Sequence, residues 1–304
     1  MRSLLFLTMA ATTLATANAV AQPPSTDENA LRVLPVQGNV YMIVGAGPNN
    51  VPVQISSEGA VLVNTPPPEQ LPQLLDAISE MTMRPNAALV ALIHTTAVTS
   101  YTSGDQALMA TSARPILEYL HTSLYNRLQD ESVADLSSGQ NLYAYYTPKI
   151  DFGSGEAIVI HHVPAAITDA DSIVLFRGSD VIVTGPIYTH GRYPVIDVAR
   201  GGSIQGLIDA LNLVLDLAVP GNFASGGTLI IPGQGRISSE SDVGEYRNMV
   251  VIIKDRVQSL MNEGMTLEQI QAARPTLGYD GEHHATPADA RAFVEAIYLS
   301  LEGD

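Results

Sequence analysis

The chain has 304 residues, 46% of them hydrophobic, which is enough apolar material for one large core or two small ones. It contains no cysteine, which excludes disulfides, thiolate metal ligands and a lipid-modified cysteine. A formal net charge of −16 argues against nucleic acid or an anionic membrane as partner.

The opening MRSLLFLTMAATTLATANAVAQPPS reads as a signal peptide over residues 1–21. Arg2 gives the positive start, Leu4 to Ala17 the apolar stretch, and Ala19-Val20-Ala21 a small-residue cleavage site before Gln22. An anchor would need ~20 strongly apolar residues, and this run is rich in Ala and Thr and meets Pro23-Pro24 at once. Cleavage would leave the mature chain periplasmic or secreted, off the membrane. Residues 22–30 are a polar, flexible lead-in, and 31–304 read as one domain.

Strands are expected at Val40–Val44, Val51–Ile55 and Ala60–Val63, with turns at Gly45–Asn50 and Ser56–Gly59. Glu69 to Met81 is helical, with Leu71, Leu74, Leu75 and Ile78 on one face. Ala87 to Ile93 is a buried strand that runs into a Thr-rich loop. Arg114 to Gln129 reads as helix and Ile158 to His162 as strand. Ser172–Phe176 and Asp180–Thr184 form a hairpin. Ser203–Leu217 is an amphipathic helix, Leu229–Ile231 a strand, and helices are expected at Glu245–Asn262, Thr266–Arg274 and Pro287–Leu301. Strands and helices alternate in both halves, which suits two sheets packed face to face with helices outside, an α/β four-layer αββα sandwich.

Five segments in order resemble the metallo-β-lactamase superfamily, in its secreted bacterial zinc-hydrolase branch. The first is GNVYMIVGAG…EGAVLVNT (Gly38 to Thr65), where Asn64 stands in the place of the family's Asp. The second, Thr96 to Gly104, holds the place of the family's HxHxDH motif and the turn after it. The third, HHVPAAITDADSIVLF (His161 to Phe176), has Ile167 at a His place, while Thr168, Asp169 and Asp171 match. In the fourth, SDVIVTGPIY, Pro186 stands where the resemblance implies a metal-bridging Asp. In the fifth, TLIIPGQGR, Gln234 replaces the last His ligand.

The seven metal-site places thus read Thr96, Val98, Ser100, Tyr101, Ile167, Pro186 and Gln234. In the family such residues hold ions that turn a bound water into a nucleophile at neutral pH. Val, Ile and Pro carry no donor atom, and neutral hydroxyls or an amide bind zinc poorly without charged company. Shifting the frame so that His94 is the first ligand still leaves Thr96, Val98 and Thr99 at the remaining places. The resemblance therefore implies the fold without its zinc, and no other cofactor is expected.

The seven histidines are His94, His121, His161, His162, His190, His283 and His284. A relocated site could draw on His161, His162 or His190 with Asp169 and Asp171, but a strand end with one solvated and one packed imidazole is the commoner arrangement. His190, four residues past Pro186, is the preferred polar group overhanging the cleft, and His283-His284 are expected at the surface. Ser100 as a nucleophile would need a base and an oxyanion hole; hydroxyls that satisfy turn backbone are commoner. Asp169 and Asp171 are read as loop-shaping, and Gly185, Gly233 and Gly235 as tight-turn residues at the cleft rim.

The expected function is a non-catalytic relative of zinc hydrolases that keeps the cleft as a binding surface. Its occupant would be an uncharged or partly apolar small molecule, or a protein partner. The alternative is a hydrolase acting on a small ester, lactam or thioester with a displaced metal or none. A third possibility is a subunit that docks onto an active partner.

Overall fold

The computed structural model describes residues 31–303 except 46, 84–88, 113, 131–139, 144–148, 152–154 and 222–225. The expected signal peptide and lead-in lie outside the described residues. Among those described, β1 (Arg32–Gln37), β2 (Val40–Gly45), β3 (Gly47–Ile55), β4 (Ala60–Val63), β5 (Leu89–Ile93), β6 (Leu117–His121) and β7 (Gln140–Tyr143) form one sheet in that order. The second sheet runs β12-β11-β10-β9-β8, from β8 (Lys149–Asp151), β9 (Ala157–Val163), β10 (Asp171–Phe176), β11 (Val181–Gly185) and β12 (Leu229–Pro232).

The strand period of two sorts the core into layers. Val61, Val63, Ala91 and Ile93 of the first sheet meet Val174, Phe176, Val181 and Val183 of the second in a shared inner core. The alternate residues Ala60, Leu62 and Leu92 face outward, against Leu71, Leu74 and Ile78 of α1 (Leu71–Thr82) and Leu108 of α2 (Asp105–Thr111). On the far side, Ile173, Ile182 and Ile230 pack against α4 (Ile204–Leu217), α5 (Glu240–Asn262), α6 (Leu267–Ala273) and α7 (Pro287–Glu302). Covered on both faces, β4 and β11 are buried along their whole length, which is why Ala60–Val63 and Val181–Val183 are consecutive apolar residues rather than alternating ones. This is the expected αββα arrangement.

Three expectations need correction. Arg114–Gln129 is not one helix: β6 precedes α3 (Thr122–Asp130). The i, i+4 spacing of Ile116, Leu120 and Leu124 imitates a helix, but residues 117–119 pair in parallel with β5 and so extend the sheet. The turn expected at Gly45–Asn50 shrinks to the reversal between β2 and β3, where Gly45 and Gly47 face each other with φ of 91° and 98°. The helix expected from Glu245 begins at Glu240, because Ser239 and Asp242 form a capping box.

Candidate functional site

The carboxyl ends of β5, β9, β11 and β12 converge on one rim, and each strand hands over to a loop that carries one or more of the substituted places. After β5, a single 3-10 turn over Thr99–Tyr101 follows Val98. After β9, the chain is folded around Asp171, which accepts from the Ile167 and Thr168 amides at 2.7 and 2.6 Å and from the Thr96 and Thr168 hydroxyls at 2.7 and 3.1 Å. Asp171 is thus the internal post of this loop. Burial pushes its carboxyl up to about 6, against the pull of those four donors. After β11, Gly185 adopts φ 53°, and a side chain there would press into the Thr95 hydroxyl. After β12, a side chain at Gly233 would collide with the Tyr101 hydroxyl and the Gly185 carbonyl.

Six of the seven substituted places, Val98, Ser100, Tyr101, Ile167, Pro186 and Gln234, line one cavity of about 610 Å³. Thr96 does not; it lies behind the wall, fully buried on Asp171. Phe293 and Ala296 of α7, with Tyr193 and Ile196, form the opposite wall. Charged side chains line the same cavity. Asp197 faces Arg200 at 3.6 Å, Asp289 caps α7 by accepting from Thr286, and Arg192 is exposed at the rim. Burial pushes the Tyr101 phenol well up, so it stays a neutral donor.

The loops are tied together by two residues that sequence reasoning placed in a turn. Asn49 donates to the Ser100 carbonyl at 2.8 Å and to the Ser100 hydroxyl at 3.1 Å, and accepts from the Gln234 amide at 3.0 Å. Asn50 donates to the carbonyls of Pro232 and Gly235 at 2.9 and 3.0 Å. A buried Asn pair on a strand end is a neutral clamp across loops. Its signal in the sequence is two adjacent amides immediately ahead of the expected Val51–Ile55 strand. Asn64 keeps a structural role: at φ 60° it accepts from the Thr95 amide at 2.9 Å and donates to the Thr95 hydroxyl at 2.7 Å.

His190 lies outside this cavity. Its amide donates to the Gln234 carbonyl at 3.0 Å, and its ring, 3.1 Å from the Tyr188 hydroxyl, lines a neighbouring pocket of about 370 Å³. His283, expected at the surface, is only 7% exposed and borders both spaces, its ring 5.1 Å from that of Tyr193. His284 is exposed as expected and also lines the larger cavity.

The donor set does not suit a divalent ion. Three of the six lining places have no donor atom, and Ser100 and Gln234 are engaged with Asn49. Among the described residues, no three His, Asp or Glu side chains converge to hold a metal. The relocated grouping does not assemble either. His162 bonds the Asp171 carbonyl through Nδ1 at 2.9 Å and stacks on His121 at 3.4 Å, and Asp169 is ion-paired with Arg127 at 2.5 Å. Among the described residues, the Ser100 hydroxyl is held by the Asn49 amide at 3.1 Å. His94 is instead sealed between Asp105 and Glu118, 3.5 Å from each. Burial pulls the His94 pKa down, but the two carboxylates outweigh it and hold it above its ordinary value.

No protein-family model matches the sequence, and no curated protein does. Solved structures do match. A stereoselective inverting sec-alkylsulfatase from Pseudomonas sp. superposes with TM-score 0.67 at 14% identity, over 90% of this chain and 51% of that one. The DIM-1 metallo-β-lactamase gives 0.57 at 15% identity, over 72% and 96%, and a metallo-β-lactamase from Pontibacter korlensis gives 0.55 at 13%, over 73% and 99%. The chain therefore spans about half the length of the alkylsulfatase and nearly all of the two lactamases.

Proposed function

Starting from a metallo-β-lactamase fold, we propose that this chain is a non-catalytic, secreted or periplasmic binding protein whose former metal cleft holds an uncharged or partly apolar small molecule. The convergence of six substituted places on one cavity carries this reading. Where the chemistry of such folds calls for anionic and imidazole donors, Val98, Ile167 and Pro186 supply apolar wall, while Tyr101 and Gln234 supply neutral hydrogen-bonding groups. A volume of about 610 Å³ falls within the ordinary range of small-molecule sites, which are mostly apolar with a few placed polar groups. The amide clamp from Asn49 and Asn50 holds the loops that an ion would otherwise bridge. The amino-terminal pattern supports export, and among the described residues no helix is long and apolar enough to cross a membrane.

Metal analysis and zinc calorimetry on the purified chain, with turnover assays on lactam, ester and thioester substrates, test this. The expected result is no stoichiometric zinc and no turnover, with a panel of neutral apolar compounds raising the melting temperature. Tight stoichiometric zinc together with turnover would establish the rival reading, a hydrolase with a displaced metal. One stable co-purifying protein, with no small-molecule effect, would replace the ligand by a partner.

A further inference from the structure

The polar groups that line the cleft divide into committed and uncommitted ones. Asp197 pairs with Arg200 at 3.6 Å. The Asp289 carboxyl is held below its ordinary value by the Thr286 hydroxyl and amide, with a smaller contribution from nearby Arg192. Two acids and two arginines thus line the cavity in matched pairs, which leaves little net charge to select an ionic guest. Tyr101 is different. Only 3% of it is exposed, yet its hydroxyl has no hydrogen-bond partner among the described residues. That oxygen is not sealed as the His94 nitrogens are, and the residue lines the cavity, so the hydroxyl opens onto it. Burial pushes the phenol well up, so it keeps its proton and can donate. A polar group held in place by burial and left unmatched is one that a bound acceptor would satisfy.

The matching acceptor is Gln234. Asn49 donates through Nδ2 to the Ser100 carbonyl at 2.8 Å, and its Oδ1 accepts from Gln234 Nε2 at 3.0 Å. A backbone carbonyl thus sets the direction of both amides, and Gln234 Oε1 is left uncommitted among the described residues. The two free groups are neighbours. Gly233 precedes Gln234, and a side chain on it would run into the Tyr101 hydroxyl. Asn49 also ties Ser100, the residue before Tyr101, to Gln234. One end of a largely apolar cavity therefore offers a donor and an acceptor side by side.

Taking the cleft to hold a small neutral molecule, as above, we propose that this molecule carries a primary carboxamide on an apolar body. The Tyr101 hydroxyl would donate to its carbonyl, Gln234 Oε1 would accept one N–H, and Val98, Val195 and Ala296 would pack against the body. A primary amide has its C=O and one N–H on the same side, a trans secondary amide points them apart, and an ester lacks the N–H. A site with both groups fixed discriminates against a ligand that leaves one of them unmatched.

Calorimetry on the full chain tests the pairing, with hydrocinnamamide as the probe beside methyl hydrocinnamate and sodium hydrocinnamate, which keep the body and change the head. The amide is expected to bind at one site, about tenfold or more tighter than either. Tyr101→Phe should weaken the amide about tenfold while leaving the melting temperature in place, since the hydroxyl has no bond in the free chain to lose. Gln234→Met, which keeps the length and removes the oxygen, should bring the amide to the level of the ester. Equal affinity for amide and ester, or undiminished affinity in Tyr101→Phe, would overturn this proposal and leave an apolar cleft standing. Binding by none of the three compounds would overturn it together with the reading of the cleft as a small-molecule site.

Discussion

The open cleft and the sealed trio directly beneath its loop hold opposite chemistries. In the cleft, Val98, Ile167 and Pro186 supply apolar wall. Under it, His94, Asp105 and Glu118 are 0, 4 and 3% exposed, joining the end of β5, the start of α2 and β6. The trio is thus sealed from any substrate, while the titratable groups that line the cleft, among them Asp197, Arg192 and Asp289, stand in a space open to one. Residue type alone marks chemistry poorly; access decides which group acts on a ligand and which acts on the fold.

The largest expected effect lies in the trio. His94→Leu removes the imidazole that stands 3.5 Å from both Asp105 and Glu118, and breaking a buried charge group in this way costs about 3–5 kcal/mol. Urea unfolding measures it, and a loss below about 1 kcal/mol would show that the trio is not ionised and that the contrast with the cleft is false. Asn49→Ala comes next. It removes the amide bonds to Ser100 and Gln234 and should cost about 1–3 kcal/mol, with stronger protection loss in the 98–102 and 233–235 amides than in β10 by hydrogen exchange.

A third test uses pH. Burial, then the neighbouring His121, pull His162 down to about 4 in the folded chain, below the ordinary 6.5. Its neutral form is the favoured one in the fold, so its contribution is present above pH 6.5 and is lost as pH falls from 6.5 towards 4. With a half-buried ring partly screened by solvent, the loss is on the order of 1 kcal/mol. Asp105 and Asp171, both pushed up to about 6 by burial, work in the opposite direction, losing stability as pH rises from 3.8 to 6. The comparison must therefore be His162→Phe against the parent at pH 7 and 4.5, and the parent should fall further. Smallest of all, Arg192→Ala at the cleft rim should change stability by less than about 0.5 kcal/mol. A larger change would mean that the rim is part of the fold's support.

The layered architecture was legible because β4, β11 and the α1 face obey simple spacing rules and are covered by their own neighbours. Six of the seven substituted places follow strand ends and share one cavity, whereas Thr96 lies behind its wall on Asp171. What escaped depended on contacts distant in the chain. β6 carries helical spacing and becomes strand only because β5 offers it an edge. Asn49 looked like a turn residue until its partners at Ser100 and Gln234 came within reach, 51 and 185 residues away. His283 looked solvated because its loop is rich in Gly and Asp, but the rings of Tyr193, Tyr246 and Tyr279, from three separate stretches, enclose it.

The far wall of the cleft is Phe293 and Ala296, on the helix formed last in chain order. The rim loops therefore precede in the chain the surface that encloses them, and the cavity is complete only once α7 has docked. Cutting the chain ahead of Pro287 would remove Phe293 and Ala296 and leave only Tyr193 and Ile196 on that side, turning an enclosed space into an open trough.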